Sequence, residues 1–130
     1  MARTPVHSLV LFAKDKKRLS AFYQQVLGLA VAATDRHHDL LQGRGIELVI
    51  HAIPPKYAAE IVIAKPPAPR EDTPMKPVFR VRSLATVRRH IEAHGGFLKP
   101  AEQAWDIRGH TVLDGWDPEG NVLQFRQPVR

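Results

Sequence analysis

The stretch that decides the fold is VHSLVLFAKDKKRLSAFYQQVLG, residues 6–28. Its first seven residues are apolar enough to form a buried strand, and its second half repeats apolar residues at the spacing of one helix face. Those helix-face residues are Leu19, Phe22, Tyr23, Val26 and Leu27. Asp15 can cap the start of the helix, and Gly28 stands where a left-handed backbone commonly ends one. The stretch predicts a strand and then a helix that covers a sheet.

The same order of elements occurs twice along the chain. Residues 5–51 predict a strand, a helix, a glycine and three short strands, and residues 76–127 predict the same series. Residues 54–74 contain too many prolines for central strands and predict a linker, with a short helix or an edge strand at 55–63. A chain of 130 residues suits one domain. The sequence therefore predicts a single α+β domain, residues 1–130, built from two βαβββ modules around a shared cavity.

The composition limits the possible partners. The chain has 19 Lys and Arg residues against 13 Asp and Glu residues, but the basic residues are scattered and no aromatic residues are interleaved with them. The absence of cysteine excludes disulfides and thiolate metal sites. No apolar run approaches the roughly 18 residues needed to cross a bilayer, and the N-terminal region has no signal cleavage site. We expect a cytoplasmic protein with no nucleic-acid or membrane partner.

Strand alternation assigns side chains to the two faces of each predicted sheet, because successive residues point to opposite sides. In GIELVIH, residues 45–51, Glu47 and His51 point away from the helix. In NVLQFRQ, residues 121–127, Gln124 and Arg126 do so. The strand at 76–81 adds Lys76 and Arg80 to that face. A polar side chain in the middle of a strand usually faces a group that needs it, so these residues are candidates for a binding site.

The first strand is apolar on both sides, so its alternation is harder to place. We predict that Val10 and Phe12 face the helix. His7, Leu9 and Leu11 then face the cavity. This assignment puts His7 on the same side as Glu47.

Four segments together resemble the glyoxalase, bleomycin-resistance and extradiol dioxygenase superfamily, also called vicinal oxygen chelate proteins. They are HSLVLFAKDKKRLSAFYQQVLGL, GIELVIH, PVFRVRSLATVRRHIEAHGG and DGWDPEGNVLQFRQ. The resemblance covers nearly the whole chain, and its most specific parts are FYQQVLGL and the DPEGN turn at 117–121. It implies that two βαβββ modules form a cup-shaped mixed sheet with the helices outside. It also implies a homodimer that binds a small molecule.

Members similar to glyoxalase I hold a metal with four residues, one on the first and one on the last strand of each module. Carried over, these positions are His7, Glu47, Lys76 and Gln124. A protonated lysine cannot ligate a metal, and Gln124 lacks the carboxylate that such lyases use as a general base. The dioxygenase version needs two histidines and a carboxylate, of which His7 alone remains. The resemblance thus implies a degenerate site, with no metal or with Ni, Zn or Mn held by His7, Glu47 and Gln124.

Three functions follow from these residues. The first is a metal-free binding protein in which Lys76 pairs with Glu47, and Arg80 and Arg126 select an anionic or oxygen-rich ligand. The second is a metal-dependent lyase or transferase similar to glyoxalase I. The third is a metal-free enzyme that uses Glu47 as its catalytic base, with a pKa that Lys76 lowers. His51 and Trp105 complete the predicted ligand-binding residues.

Overall fold

The computed structural model describes residues 7–43 and 45–129. The chain forms two compact units, Met1–Val62 and Ile63–Arg130, and the boundary between them lies inside the proline-rich stretch. Each unit contains one mixed sheet with a helix inserted after its first strand. None of the helices in the described ranges has the length and apolarity of a membrane span. The mixed α+β architecture agrees with the predicted fold class.

The first unit follows the predicted order of elements. These are β1 (Ser8–Ala13), α1 (Lys16–Leu27), β2 (Ala30–Thr34), β3 (His38–Gly43), β4 (Ile46–Ala52) and α2 (Pro55–Ala58). The sheet order is β1-β4-β3-β2, in which β1 runs parallel to β4 and the other pairs are antiparallel. The residues 55–63 thus contain a short helix rather than the alternative edge strand.

Helix α1 is fixed at both ends by the residues that the sequence indicated. The Asp15 side chain accepts a hydrogen bond from the Arg18 backbone N–H at 3.1 Å, and Gly28 ends the helix with a φ of 67°. Because a left-handed backbone is least costly for glycine, the chain can turn sharply there. The predicted apolar face packs on β3 and β4. The core of this unit includes Leu19, Phe22, Tyr23, Val26, Leu41, Leu48 and Ile50.

The predicted orientation of β1 is wrong. Ser8 pairs with Glu47 and Leu9 with Leu48, so the side chain of Ser8, not that of His7, shares the face of Glu47. Val10 and Phe12 lie on that face too and are 47% and 60% exposed. Both sides of this strand are apolar, and alternation alone cannot then decide which side faces the helix. The pairing with β4 decides it.

The second unit also begins with a strand and a helix. Its elements are β5 (Val78–Arg80), α3 (Leu84–Ala93), β6 (Phe97–Leu98), a 3-10 turn (Ala101–Gln103), β7 (Trp105–Ile107), β8 (His110–Trp116) and β9 (Val122–Pro128). The sheet order is β5-β9-β8-β6, with β7 also pairing with β8. Four strands follow the helix instead of three. Pro100 lies between β6 and β7, and its missing N–H prevents one continuous strand.

Helix α3 begins after Ser83 and covers one face of this sheet. The Ser83 hydroxyl accepts a hydrogen bond from the Thr86 backbone N–H at 3.2 Å. The Gln127 side chain accepts a second one from the Leu84 N–H at 2.7 Å, which ties the helix to β9. The buried apolar residues of the unit are Phe79, Leu84, Val87, Ile91, Leu98, Val112, Leu113, Leu123 and Phe125.

Part of the proline-rich stretch packs on the turn between β8 and β9. The backbone N–H of Arg70 donates to the Gly120 carbonyl at 2.8 Å, and the Trp116 indole donates to the Pro67 carbonyl at 2.8 Å. Inside the turn, the buried Asp117 carboxylate accepts backbone hydrogen bonds from Glu119 and Asn121. This segment is therefore a structural part of the second unit.

Candidate functional site

The face of the second sheet opposite α3 carries two rows of candidate residues. Across β5, β9, β8 and β7, the register aligns Arg80, Arg126, Val112 and Trp105. In the next row it aligns Val78, Gln124 and Asp114. Cross-strand partners share a face and lie about 5 Å apart. The predicted placement of Arg80, Gln124 and Arg126 on one face is confirmed, and Trp105 lies on the same face.

A chain of hydrogen bonds joins the polar members of this face. Gln124 donates through Nε2 to Asp114 Oδ1 at 3.1 Å and accepts through Oε1 from Arg126 Nε at 2.9 Å. Lys76 Nζ donates to the other oxygen of Asp114 at 3.0 Å. We call Lys76, Asp114, Gln124 and Arg126 the Gln124 cluster. Because a carboxylate can only accept and a guanidinium can only donate, the orientation of the Gln124 amide is determined by its two neighbours.

The partner of Lys76 differs from the predicted one. We predicted a pair with Glu47, but the structure gives Lys76 the carboxylate of Asp114. The side chains of this ion pair are 40% and 21% exposed, so water screens their attraction. The pair contributes no more than about 1 kcal/mol to stability. The pair holds the Lys76 ammonium at the carboxylate that the Gln124 amide also contacts.

Asp114 was not among the predicted site residues, although the sequence contains a signal for it. Arg108 and Gly109 have positive φ values of 47° and 79° and connect β7 to β8 as a two-residue hairpin turn. A turn placed at Arg108–Gly109 sets the alternation of β8, which then puts Val112, Asp114 and Trp116 on one face. Asp114 is then a polar residue in the middle of a strand, as Glu47 and Gln124 are, and is a candidate site residue for the same reason.

This face carries more positive than negative charge. Lys76, Arg80 and Arg126 are cationic, and Asp114 supplies the one carboxylate of the Gln124 cluster. Arg80 is exposed and lies directly opposite Arg126. The Arg126 bond to Gln124 uses Nε, so the terminal amino groups of the guanidinium can engage a carboxylate or phosphate in the bidentate way that arginine favours. Trp105, at the end of the same row, offers apolar surface.

Glu47 in the first unit is held by two neighbours on its own sheet. Ser8 Oγ donates to Glu47 Oε2 at 2.5 Å, and Gln42 Nε2 donates to Oε1 at 2.8 Å. Hydrogen bonds to the charged form, first from Ser8 and then from Gln42, lower the pKa of Glu47 below its usual value of 4.5. The lowering was predicted, but its predicted cause, Lys76, is replaced by Ser8 and Gln42. A lower pKa makes Glu47 a weaker base near neutral pH.

The two predicted histidines lie in different surroundings from those expected. The carbonyl of His7 accepts from the Glu47 backbone N–H at 3.1 Å, while alternation with Ser8 turns its side chain to the opposite face. His51 follows Glu47 by four residues, about 13 Å along the strand. Its ring lies between those of Phe12 and His38, with centroid distances of 5.3 Å and 4.3 Å. Neither imidazole is therefore placed to bind the same metal ion as the Glu47 carboxylate.

The residues at the four implied metal positions do not fit a divalent ion. In the first unit, the side chain of His7 points away from the face of Glu47. In the second, Lys76 is an ammonium and the Gln124 oxygen already accepts from a guanidinium, which repels a cation. Within residues 7–43 and 45–129, no group of three or more His, Cys, Asp or Glu side chains could hold a metal. The polar groups on this face of the second sheet are cationic side chains, the Gln124 amide and the Asp114 carboxylate.

Comparison with known proteins agrees with this architecture. The family model for the glyoxalase-like domain matches residues 8–125. No match was found among curated protein sequences. A bleomycin resistance determinant encoded on the transposon Tn5 has a similar structure, with a TM-score of 0.64 and 19% identity over 96% of this chain and 98% of that one.

Two further solved structures share the fold. The fosfomycin resistance protein FosX from Listeria monocytogenes has a TM-score of 0.66 and 16% identity, over 99% of this chain and 94% of that one. An integron cassette protein from the mobile metagenome of V. cholerae has a TM-score of 0.63 and 18% identity, over 98% and 97%. At these identities the structures show the fold alone, whereas the family model covers most of the sequence. The chain therefore belongs to the glyoxalase-like domain family.

Proposed function

We propose that this protein binds a small organic anion without a metal, and that the Gln124 cluster with Arg80 and Trp105 forms the binding face. The observation that carries the proposal is the position of the Gln124 amide between Asp114 and Arg126. Where family members similar to glyoxalase I have a metal-binding carboxylate, this chain has an amide that orients a guanidinium. The positive charge that a metal would supply is then supplied by side chains.

The row of Arg80, Arg126, Val112 and Trp105 indicates the kind of ligand. Two guanidinium groups on neighbouring strands repel each other, and an anion between them removes that repulsion. Trp105 and Val112 extend the row with apolar surface on the adjacent strands. A carboxylate or phosphate attached to an apolar or aromatic body matches both halves of this row.

The similar structures support binding of a small molecule in general. Two of them are named as bleomycin and fosfomycin resistance proteins. The resemblance to the superfamily also supports a homodimer, and the exposed Val10 and Phe12 side chains on β1 offer apolar surface that a second copy could cover. Light scattering tests the dimer: we expect about 29 kDa, twice the chain mass of 14.6 kDa, whereas a monomer mass would contradict it.

A thermal-shift screen of aromatic and aliphatic carboxylates and phosphates, run in excess EDTA, tests the binding proposal. We expect at least one anion to raise the melting temperature with a saturable concentration dependence, because a ligand that binds the folded state stabilises it by mass action. The Arg126→Gln variant should lose this response. Arg82→Gln removes the same charge from an exposed position in the same unit and should keep it.

Two results would contradict the proposal. One is a response that appears only when a divalent metal is added and EDTA is omitted. The other is an equal response of the Arg126→Gln variant and the unsubstituted protein. Metal-dependent turnover of a hit would favour the lyase alternative, and metal-free turnover abolished by Glu47→Gln would favour the enzyme that uses Glu47.

A further inference from the structure

The first unit has an open space at the carboxyl ends of the parallel strands β1 and β4. A cavity of about 420 Å³ is present there, a size typical of small-molecule sites. Its lining residues are Lys14, Arg36, His37, Ala52, Ile53, Pro54, Pro55, Ala58 and Ala59. Ser8 and Glu47 lie at the other end of the same strand pair, about 16 Å away along the sheet. The cavity is therefore separate from the position of Glu47.

Hydrogen bonds to backbone carbonyls hold the walls of this cavity. Ala52 N–H donates to the His37 carbonyl at 2.8 Å, which joins the end of β4 to the turn before β3. Ile53 N–H donates to the Ala13 carbonyl at 2.9 Å, which joins it to the end of β1. Lys14 Nζ donates to the Ile61 carbonyl and so connects the start of α1 to the segment after α2. A cavity with such fixed walls loses little freedom when a ligand enters.

The lining divides into an apolar part and a basic part. Six of the nine lining residues are Ala, Ile or Pro and lie between the last residue of β4 and the first residue after α2. The other three are Lys14, Arg36 and His37. Among residues 7–43 and 45–129, no carboxylate forms an ion pair with the exposed Arg36 guanidinium. The nearby Asp35 carboxylate accepts hydrogen bonds from the backbone N–H groups of His37 and His38 and from the His38 ring. Arg36 is thus available to an incoming anion.

From this division we propose that the cavity binds a small carboxylic acid in its ionised form, with the carboxylate at Arg36 and Lys14 and an aliphatic tail against Ile53, Ala58 and Ala59. A charge-assisted hydrogen bond to arginine fixes the head group, and Ile53, Ala58 and Ala59 remove the tail from water. An inorganic anion has no apolar body, so it uses only the basic part of the lining. This site does not depend on the binding face of the second unit.

A titration with hexanoate, followed by two-dimensional NMR of the ¹⁵N-labelled protein, tests the proposal. We expect saturable shifts of the Ala52, Ile53, Ala58 and Ala59 amide signals. Hexan-1-ol has the same chain length without the charge, and inorganic phosphate has the charge without the tail. Each should bind at least about fivefold more weakly, because each loses one of the two interactions. Absence of saturable shifts at these amides, or equal binding of hexanol, would overturn the proposal.

Variants separate the two parts of the cavity. Arg36→Gln should weaken hexanoate binding at least about fivefold, the effect expected from loss of one charge-assisted hydrogen bond. Lys17→Gln removes an exposed charge from α1 outside the cavity and should leave the affinity unchanged. Ala59→Phe should fill the apolar part and block hexanoate. If Ala59→Phe does not fold, Arg36→Gln still decides: unchanged affinity in that variant would overturn the site.

Discussion

Arg126 donates from Nε to the side-chain oxygen of Gln124 at 2.9 Å, and both residues lie on β9 two positions apart. Their spacing puts both side chains on one face of the strand. Because Gln124 also donates to Asp114, its amide fixes the Arg126 guanidinium relative to the Asp114 carboxylate. The nitrogen and the oxygen of the Gln124 side chain therefore both have hydrogen-bond partners, and both partners are side chains.

The cluster predicts a stability cost when Gln124 is replaced. Gln124 is 6% exposed, and Gln124→Leu removes one partner each from Asp114 and Arg126. Both partners are half-buried, so we expect a loss of about 0.5–1.5 kcal/mol in the free energy of unfolding, the net contribution of such hydrogen bonds. Urea denaturation measures it. Gln103→Leu, at an exposed position of the 3-10 turn, is the matched control, and an equal effect of both variants would contradict the role of the amide.

The hydrogen bond from the Ser8 hydroxyl is the largest cause of the lowered pKa of Glu47. In Ser8→Ala the carboxylate loses its strongest hydrogen bond, so its pKa should rise toward 4.5 while the Gln42 bond keeps it below that value. A ¹³C NMR titration of the Glu47 carboxyl measures the change directly. Thr73→Ala removes a hydroxyl from the second unit and serves as the control. The interpretation fails if the pKa of Glu47 is the same in both variants.

We expect the low pKa of Asp35 to make the stability of the first unit depend on pH. Backbone hydrogen bonds from His37, followed by the His38 side chain and backbone, lower its pKa from 3.8 to about 2. A carboxyl whose folded pKa is depressed stabilises the fold above its unfolded pKa, and this contribution is lost as the pH falls through the folded value. Asp35→Asn should therefore be less stable than the unsubstituted protein at pH 6, and the difference should vanish between pH 4 and pH 2.

Urea midpoints measured at several pH values across that window check this dependence. Asp72→Asn, at an exposed carboxylate in the second unit, is the control for a change of net charge. A stability difference between Asp35→Asn and the unsubstituted protein that stays constant down to pH 2 would show that the charge of Asp35 does not act as inferred.

A substitution at Gly120 tests how firmly the proline-rich segment packs on the turn before β9. Its φ is 82°, and a Cβ there would overlap the Ala68 carbonyl oxygen. Gly120→Ala should cost about 2–4 kcal/mol, because backbone strain and a steric overlap add. Gly109 has a similar φ of 79°, but a Cβ there would meet open space. Gly109→Ala should therefore lower the free energy of unfolding by only about 1–2 kcal/mol. Thermal denaturation compares the two, and equal losses would mean that the segment moves away freely.

Much of the fold could be predicted because local patterns and tertiary structure agree. The periodic apolar residues of α1, its Asp15 cap and Gly28 all point to one helix, and the structure contains it. The alternation in β4 and β9 also predicts the right faces, since each has one clearly apolar side. In β1 both sides are apolar, so its orientation depends on the pairing with β4, which alternation within one strand does not contain.

The candidate site was predicted in part for the same reason. Gln124, Arg126 and Arg80 lie on strands whose alternation is clear, and they share a face as expected. The partner of Lys76 depends instead on the position of Asp114 on a neighbouring strand, which follows only from the turn at Arg108–Gly109. The resemblance to metal-binding relatives implies Glu47 as the partner of Lys76, whereas the carboxylate that Lys76 contacts, Asp114, lies in the same unit as Lys76.

Metal binding by protein purified without a histidine tag decides whether side chains have replaced a metal in this protein. Elemental analysis gives the bound metal, and calorimetric titration with nickel, zinc and manganese gives the affinity and stoichiometry. We expect no stoichiometric metal and no saturable heat, with anion binding unchanged in EDTA. One metal ion bound per chain, lost on His7→Ala or Gln124→Ala, would contradict the claim that side chains replace the metal.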